Sequence, residues 1–322
     1  MTSIDPGPVP ATAPAVLAGA DPTGTDPDGA PRTIGASMPS RQGSATSENR
    51  VVNAILFVVL ALGAVVMIAP LLWMFTTAVK TTQEVFALPP VLWPSEPQWD
   101  TFVRMWTEAP ILSGFRNSFI VATTVTVLGS FTSALAAFAL AKMRLPHKNV
   151  IFLALLSGIM IPFPTLMIPQ FVMFSKIGWV DTLLPLIVPA VFGNIIMVFF
   201  LRQYLESVPN SVVEAAKIDG ASYFQIFRVM ILPIIRPAIA AQFILWFMTV
   251  WNDYLAPILY LNSEEKQTLQ VVIANLNVEF ATQRDYPLIM AASFVALLPI
   301  VIVFLIFQRQ IIESVALTGT KG

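Results

Sequence analysis

The sequence contains no cysteine and a single histidine, His147, among its 322 residues. The lack of cysteine excludes disulfide bonds, thiolate metal sites and a cysteine nucleophile. One histidine is too few for a histidine-based metal centre, and we interpret His147 as a solvated loop residue. We therefore predict that the chain binds no metal.

Charged residues are also scarce. They make up 11% of the chain, whereas 56% of the residues are hydrophobic. An ordinary soluble domain carries about 25% charged residues, so this composition indicates a chain whose solvent is largely membrane lipid. The formal net charge is only −1, and there is no basic excess that would predict a nucleic-acid partner.

The charges are spaced so that long apolar segments lie between them. Five uncharged stretches contain 20 residues or more, and a sixth apolar segment is interrupted only by Asn252 and Asp253. An α-helix needs about 20 residues to cross about 30 Å of hydrocarbon. None of the segments alternates as a barrel strand does. We predict an all-α integral membrane protein with six transmembrane helices, at about residues 52–79, 117–141, 150–174, 183–201, 238–261 and 288–307.

Lysine and arginine indicate the orientation of these helices. A cytoplasmic amino terminus places 12 of the 18 basic residues inside and six outside. The short loop from Lys142 to Lys148 holds three of the inside charges, and short loops are where the positive-inside rule is most reliable. We predict a multi-pass protein of a bacterial cell membrane, inner or plasma, with both termini in the cytoplasm.

Residues 1–49 differ from the rest of the chain. They are rich in proline, alanine, glycine, serine and threonine and contain almost no large apolar side chains. Such a segment cannot bury enough surface to offset the entropy of ordering. We predict a disordered cytoplasmic tail at 1–49 and a six-helix membrane domain at 50–322.

The second and third predicted spans have unusual compositions. The second is full of small residues, which let membrane helices approach closely. The third contains Pro162, Pro164 and Pro169 and must be broken or bent. The backbone groups that a break frees inside a membrane face protein or a water-filled path. Pro162 is therefore a candidate for the translocation path, with a purely structural kink as the alternative.

The link between the fourth and fifth spans, residues 202–237, is the most informative segment. Ser211 and Glu214 have the spacing of a capping box, which predicts a short helix over 212–219. Gly220 follows, and glycine most readily adopts the left-handed conformation that ends a helix. Ser222 and Gln225 form a second potential capping box, which predicts a second short helix that ends at Pro233.

Two short helices joined at a glycine predict a compact, bent element on the cytoplasmic face. Ala215 and Ala216 are small enough to admit another protein closely. Phe224, Phe227 and Met230 need an apolar cover. The two interpretations are a docking element for a partner and a loop that packs only on its own bundle.

These residues also resemble a known family. Glu214-Ala215-Ala216, then Gly220, then Leu232-Pro233 resembles the EAA loop of the permeases of binding-protein-dependent ABC importers. The family pattern has Ile where Met230 stands here, and the spacing fits throughout. The Trp251-Asn252-Asp253-Tyr254 segment and the terminal residues 317–322 resemble the permeases of carbohydrate importers of the maltose-system type. The resemblance covers roughly residues 51–322.

The resemblance implies a transporter subunit rather than an enzyme, with no catalytic residue of its own. It implies coupling to a separate dimer of ATP-binding subunits, which would hold the ATP and magnesium, while this chain binds no cofactor. A second, homologous permease subunit and an extracytoplasmic solute-binding protein are the other implied partners. The implied ATPase-coupling residues are Glu214, Ala215, Ala216, Asp219, Gly220, Met230, Leu232 and Pro233.

Three further regions receive a role through the resemblance. The carboxy-terminal tail would contact the ATPase subunits, through Thr318, Gly319, Lys321 and Gly322. Trp251, Asn252 and Asp253 are candidates for the translocation path, with a hydrogen bond between helices as the alternative. The connection after the fifth span, about residues 262–287, would be an external loop that touches the solute-binding protein, with a merely solvated loop as the alternative.

Two other functional classes fit these residues less well. A secondary carrier would place several ionisable residues deep in its spans, and only Asp253 qualifies. A membrane enzyme would need a polar constellation, and no HExxH, GxSxG or phosphate-binding glycine loop is present. Within the importer prediction, sugars or short oligosaccharides fit best, and glycerol phosphate compounds are the alternative substrate.

Overall fold

A computed structural model describes residues 47–282 and 285–319, and within these ranges the chain is helical and contains no β-strand. The chain divides into two compact units, Met1–Leu60 and Ala61–Gly322. The described part of the first unit is the beginning of helix α1, where every side chain from Val52 to Leu60 is exposed. The predicted tail over 1–49 lies almost wholly outside the described residues and stays a prediction.

The helices follow one another closely along the chain. Their bounds are α1 Ser47–Ala78, α2 Thr82–Val85, α3 Thr101–Glu108, α4 Ile111–Lys142, α5 Lys148–Ser157, α6 Phe163–Lys176, α7 Leu184–Val191, α8 Ile195–Glu206, α9 Asn210–Ile218, α10 Tyr223–Ile226, α11 Leu232–Trp251, α12 Leu255–Tyr260, α13 Leu269–Thr282 and α14 Tyr286–Gly319.

Five helical segments are long and apolar enough to cross a membrane, at Val52–Ala78, Ile111–Lys142, Leu184–Glu206, Tyr223–Trp251 and Tyr286–Arg309. A sixth crossing results if α5 and α6, which meet at an angle of 96°, count as one broken span. The predicted all-α, multi-pass membrane fold is confirmed. The predicted break of the third span is confirmed too, since the helix stops at Ile161 and Pro162 and restarts at Phe163.

Helix α4 is the central element and packs against α7, α8, α11 and α13. Its small residues make this packing possible, as the sequence predicted. At Gly129 an added Cβ would meet the indole ring of Trp246 and would lie 3.0 Å from the carbonyl oxygen of Ala190. Ser133 is fully buried, and its Oγ accepts a hydrogen bond from the backbone N–H of Asn194 at 2.8 Å. Any larger residue on this face would separate the helices.

Two hydrophobic cores stabilise the second unit. One surrounds Trp251 and Phe247 and joins α3, α4, α11, α13 and α14. The other surrounds Phe227 and joins α4, α8, α9, α10 and α11. Both cores draw on α4, which runs through the two of them.

Three predicted segments differ from the structure. The fourth span is not one helix, because residues 192–194 separate α7 from α8. The fifth span begins earlier and ends at Trp251 rather than at 261, because Asn252, Asp253 and Tyr254 leave the helix before α12 begins. The polar residues inside the apolar run therefore mark a break in the helix, not a polar site within a continuous one.

The predicted external loop over 262–287 is largely helical instead. Helix α13 occupies most of it, and its apolar residues Leu269, Val272 and Leu276 are buried in the core around Trp251. These residues are spaced at i, i+3 and i+7, which is the periodicity of a helix with one buried face. That signal was present in the sequence, and the interpretation of the segment as a loop was wrong.

Candidate functional site

Helix α9 begins one turn after α8 and carries the residues of the Glu-Ala-Ala motif. Its predicted range of 212–219 is confirmed to within two residues, but the predicted first capping box is wrong. Pro209 occupies the N-cap position with an extended backbone and makes no side-chain cap bond. The helix therefore starts at Asn210, and Ser211 lies inside the first turn, where its hydroxyl cannot cap the helix amides.

The end of α9 agrees with the sequence. Gly220 has a φ of +84°, and the N–H of Ala221 donates to the carbonyl of Ala216 at 3.0 Å. This is the left-handed stop that Gly220 predicts. The second capping box is confirmed as well, because Ser222 N–H donates to Gln225 Oε1 at 2.8 Å and Gln225 N–H donates to Ser222 Oγ at 3.3 Å.

The helix that follows does not end at Pro233, as the sequence predicted. It continues through a π-helical turn, Phe227–Ile231, into α11, with Pro233 in the first turn of α11. In the π turn the N–H of Leu232 donates to the carbonyl of Phe227, one residue further back than in an α-helix. Pro233 therefore does not stop the helix, and continuous helical backbone joins the second short helix to the fifth span.

The motif residues divide between the surface and the interior. Glu214, Ala215, Asp219, Gly220 and Pro233 are exposed. Met230 and Leu232 are half-buried, and Ala216 is buried against the core around Phe227. Helix α9 therefore packs on its own bundle through Val213 and Ala216 and leaves the side that carries Glu214 and Ala215 open.

The burial of Phe227 and the exposure of Ile218 were not predicted from the sequence. Phe227, which the sequence assigned to a surface that needs a cover, is buried and packs against Phe138, with ring centroids 5.6 Å apart. Ile218, which the sequence analysis did not single out, is 86% exposed on α9. Phe224, on α10, is also exposed.

A cavity of about 320 Å³ lies between α4, α6, α7 and α12. Asp253 lines this cavity, and its Oδ1 accepts hydrogen bonds from the N–H groups of Leu255 at 3.1 Å and Ala256 at 3.4 Å. The hydroxyl of Tyr260 donates to Gln170 Oε1 at 2.9 Å across the same cavity. Asp253 thus caps α12 and also presents a half-buried carboxylate to the interior of the bundle.

The other candidates for the translocation path lie elsewhere. Trp251 is buried, and its indole N–H donates to the carbonyl of Ala296 at 3.0 Å, so it does not line the cavity. Asn252 is exposed and accepts from Gln270 at 3.4 Å. Pro162 is exposed at the break between α5 and α6, and the next residue, Phe163, lines the cavity.

The predicted tail contacts fall at the limit of the described residues. Thr318 and Gly319 lie in the last turn of α14, of which only the backbone is described. Lys321 and Gly322 lie outside the described residues. The role of this segment stays a prediction.

Two carboxylates outside the membrane-spanning segments, those of Asp181 and Glu84, have strongly lowered pKa values. Hydrogen bonds from the hydroxyl and backbone N–H of Ser263, together with Lys266, hold the pKa of the Asp181 carboxyl well below its usual range. Hydrogen bonds from Ser95 and Thr81 lower the pKa of Glu84 to about 2. Each carboxylate is fixed by several donors, which is how a structural anchor is recognised. Neither lines the cavity that contains Asp253. Among the described residues no group of three or more histidines, aspartates and glutamates could hold a metal.

Comparison with known proteins gives the fold and the family. Residues 111–316 match the model of the family described as "binding-protein-dependent transport system inner membrane component". The chain is similar to the arabinooligosaccharides transport system permease protein AraQ of Halalkalibacterium halodurans, with 35% identity over 71% of this chain and 81% of the relative. It is also similar to the diacetylchitobiose uptake system permease protein NgcG of Streptomyces coelicolor, with 32% identity over 85% of this chain and 90% of the relative.

A solved structure has the same fold. It is the crystal structure of a bacterial ABC transporter involved in the import of the acidic polysaccharide alginate, with a TM-score of 0.71 and 22% identity over 83% of this chain and 98% of that one. The family match covers well over half of the chain, from α4 to α14. The chain therefore belongs to the binding-protein-dependent transport family of inner membrane components, and it is a transporter permease rather than an enzyme.

Proposed function

We propose that this chain is the permease subunit of an ATP-driven importer of sugars or short oligosaccharides, and that α9 is its contact with a separate ATPase. The observation that carries the coupling role is the open side of α9, where Glu214 and Ala215 are exposed while Val213 and Ala216 fix the helix to the bundle. A helix that transmits force must pack firmly against its own chain and keep another side exposed for its partner.

The continuous helical backbone from α10 to α11 supports the same role. Movement of α9 and α10 is passed to the fifth span, because the π turn and Pro233 interrupt neither the helix nor its packing. The fifth span ends beside Asp253 and the cavity between α4, α6, α7 and α12. The proposal is that ATP-driven movement at α9 opens and closes a path that includes this cavity.

The proposal includes the partners that the resemblance to this family implies. A dimer of ATP-binding subunits holds the ATP and magnesium, and this chain binds no cofactor. A second, homologous permease forms the other half of the path, and an extracytoplasmic solute-binding protein delivers the solute. The orientation belongs to the proposal, with α9 and both termini in the cytoplasm. The names of the two permease relatives support a carbohydrate as the solute.

Uptake measurements test the substrate. A strain that lacks this gene and a strain that carries it back would be compared across a panel of labelled sugars, short oligosaccharides and glycerol phosphates. We expect gene-dependent uptake of a carbohydrate and none of glycerol phosphates. Gene-dependent uptake of glycerol phosphates alone would refute the sugar assignment and leave the coupling role intact.

The coupling role has its own test. Glu214→Lys reverses the charge on the open side of α9, and we expect the ATPase subunit to be lost from the purified complex and uptake to fall at least tenfold. Glu96→Lys is the matched control, because Glu96 is exposed and lies in the link between α2 and α3. Normal co-purification and normal uptake in Glu214→Lys would disprove the proposal.

The natural absence of cysteine allows a direct test of orientation. Two variants each place one thiol at an exposed position. They are Ser211→Cys on α9 and Asn262→Cys in the link between α12 and α13. A membrane-impermeant maleimide added to intact cells should label Asn262→Cys and not Ser211→Cys. The reverse pattern would overturn the cytoplasmic assignment of α9.

A further inference from the structure

A groove of about 690 Å³ lies between α9 and the link that joins α4 to α5. We name it the interfacial groove. It is lined by Ala141, Lys142, Met143, Arg144, Leu145, Lys148, Asn210, Val213, Glu214, Lys217, Ile218 and Tyr223. Lys142 is the last residue of one membrane span, and Lys148 is the first residue of the next membrane helix. The groove therefore lies where two apolar segments leave and re-enter the hydrocarbon, which is the level of the lipid headgroups.

The groove has a strong excess of positive charge. Within the part of the chain that the structure describes, four cationic side chains and one carboxylate, that of Glu214, line the groove. The cations are Lys142, Arg144, Lys148 and Lys217. Their formal charge exceeds that of the single carboxylate by three.

The contacts inside the groove leave this charge largely uncompensated. The Nζ atom of Lys142 donates to two neutral oxygens, Val208 O at 2.5 Å and Asn210 Oδ1 at 2.9 Å. Arg144 approaches Glu214 only to 3.9 Å, and both side chains are well exposed, so the pair contributes little. The ammonium of Lys217 lies over the ring of Tyr223, 3.7 Å from its centroid. A cation on an aromatic face can still bind an anion from its other side.

The first turns of α5 provide an apolar surface directly after Lys148. Val150, Ile151 and Leu153 are exposed, with Val150 63% and Leu153 64% accessible. They belong to an apolar helix that enters the membrane. A cationic groove followed by an exposed apolar helix matches the two parts of a phospholipid, the anionic headgroup and the acyl chains. A free phosphate ion would use only the first part.

We propose that the interfacial groove binds the headgroup of an anionic phospholipid, with Lys148 and Lys217 facing its phosphate. Basic pockets at the ends of membrane helices bind such headgroups, because each lysine or arginine near the surface adds a similar increment of attraction. The bound lipid bridges the link after α4 to α9 and holds α9 against the bundle. Ala215, on the same helix, does not line the groove and stays exposed.

The test uses the full chain, purified in a non-ionic detergent and titrated with dioleoyl phosphatidylglycerol or dioleoyl phosphatidylcholine, with bound lipids counted by native mass spectrometry. We expect phosphatidylglycerol to bind at least about tenfold more tightly than phosphatidylcholine. Lys148→Gln and Lys217→Gln should each weaken phosphatidylglycerol binding about fivefold. Lys176→Gln is the matched control, because Lys176 also ends a membrane helix but lies outside the groove.

Two further measurements test whether charge causes the lipid preference and whether the groove binds lipid or free phosphate. The double variant Lys148→Arg/Lys217→Arg keeps the charge and should keep the preference, and loss of the preference in this variant would show that charge is not the cause. Inorganic phosphate should not displace the lipid at equal concentration, and displacement would identify the groove as a site for the free anion instead. Equal phosphatidylglycerol binding by the wild type and both glutamine variants would also overturn the proposal.

Discussion

Two regions of the second unit use a glycine in the left-handed conformation, and they differ in how their charges are used. The coupling link, residues 207–222, contains α9 and Gly220. The staple links are two hydrogen-bonded segments, residues 177–183 and 261–268, and the first of them contains Gly178 and Asp181. Gly178 and Gly220 have φ values of +71° and +84°, and in both cases an added Cβ would meet nothing within 4 Å.

The difference lies in the carboxylates. Asp181 accepts from the N–H groups of Asn262 at 3.0 Å and Ser263 at 2.9 Å, from Ser263 Oγ at 2.6 Å and from Lys266 Nζ at 3.0 Å. Glu214, by contrast, has one ion pair at 3.9 Å with an exposed arginine. The staple links are satisfied within the chain, whereas the coupling link keeps its carboxylate available. A docking element can therefore be recognised by charged side chains that have few partners within their own chain.

The largest expected effect is on the staple links. Asp181→Asn removes the negative charge that several donors share, and asparagine tolerates the left-handed backbone at this position, where φ is +63°. We expect the free energy of unfolding to fall by about 2 kcal/mol. Glu214→Gln is the counterpart in the coupling link and should change the free energy of unfolding by less than about 0.5 kcal/mol. Denaturant unfolding in detergent micelles measures both. Equal losses would remove the distinction between the two links.

Acid should remove the stabilisation that the ionised carboxylate of Asp181 contributes. The folded-state pKa of Asp181 lies below its unfolded value of about 3.9, so the stabilisation is complete above that pH and is lost as the pH falls toward the folded value. The gap in unfolding free energy between the wild type and Asp181→Asn should therefore be constant from pH 7 to about pH 5 and should shrink below about pH 4. A gap that stays constant down to pH 3 would contradict this account.

The two glycines give a smaller and more selective test. An alanine at φ near +70° to +85° costs about 1 kcal/mol, and neither site adds a steric clash, so Gly178→Ala and Gly220→Ala should lower stability equally. Uptake should fall several-fold only in Gly220→Ala, since only this glycine orients α9 toward the proposed ATPase. Unfolding curves and uptake rates are compared side by side, and a matching loss of uptake in Gly178→Ala would assign the effect to stability alone.

The smallest effect separates the two capping boxes. Ser222→Ala removes a cap that is formed, which costs about 0.5–1 kcal/mol. Ser211→Ala removes a hydroxyl that caps nothing and should leave the unfolding free energy unchanged within error. The same unfolding measurements decide between them. A larger loss in Ser211→Ala would restore the first capping box that the sequence predicted.

Local signals in the sequence predicted a large part of the fold and of the site. The apolar segments gave the membrane helices, the prolines gave the break before α6, and Gly220 and the second capping box were found at the right residues. Some failures were local: Ser211 does not cap α9, the helix does not end at Pro233, and the fifth span breaks after Trp251. The periodicity of α13 was also present in the sequence and was missed. The failures of burial have a different cause, because Phe227 and Ala216 lie in a core to which α4 and α8 contribute, and these helices are distant in the chain or precede the motif.

The sequence alone predicted a helical membrane protein and a bend at Gly220 that separates two helices. Those features depend on hydropathy, capping and backbone conformation, which act over a few residues. Only the tertiary structure decided which side of α9 is open, that Trp251 is core while Asp253 faces a cavity, and that four cations meet in one groove. These depend on which helices pack together, and burial and charge accumulation are properties of that packing rather than of any single segment.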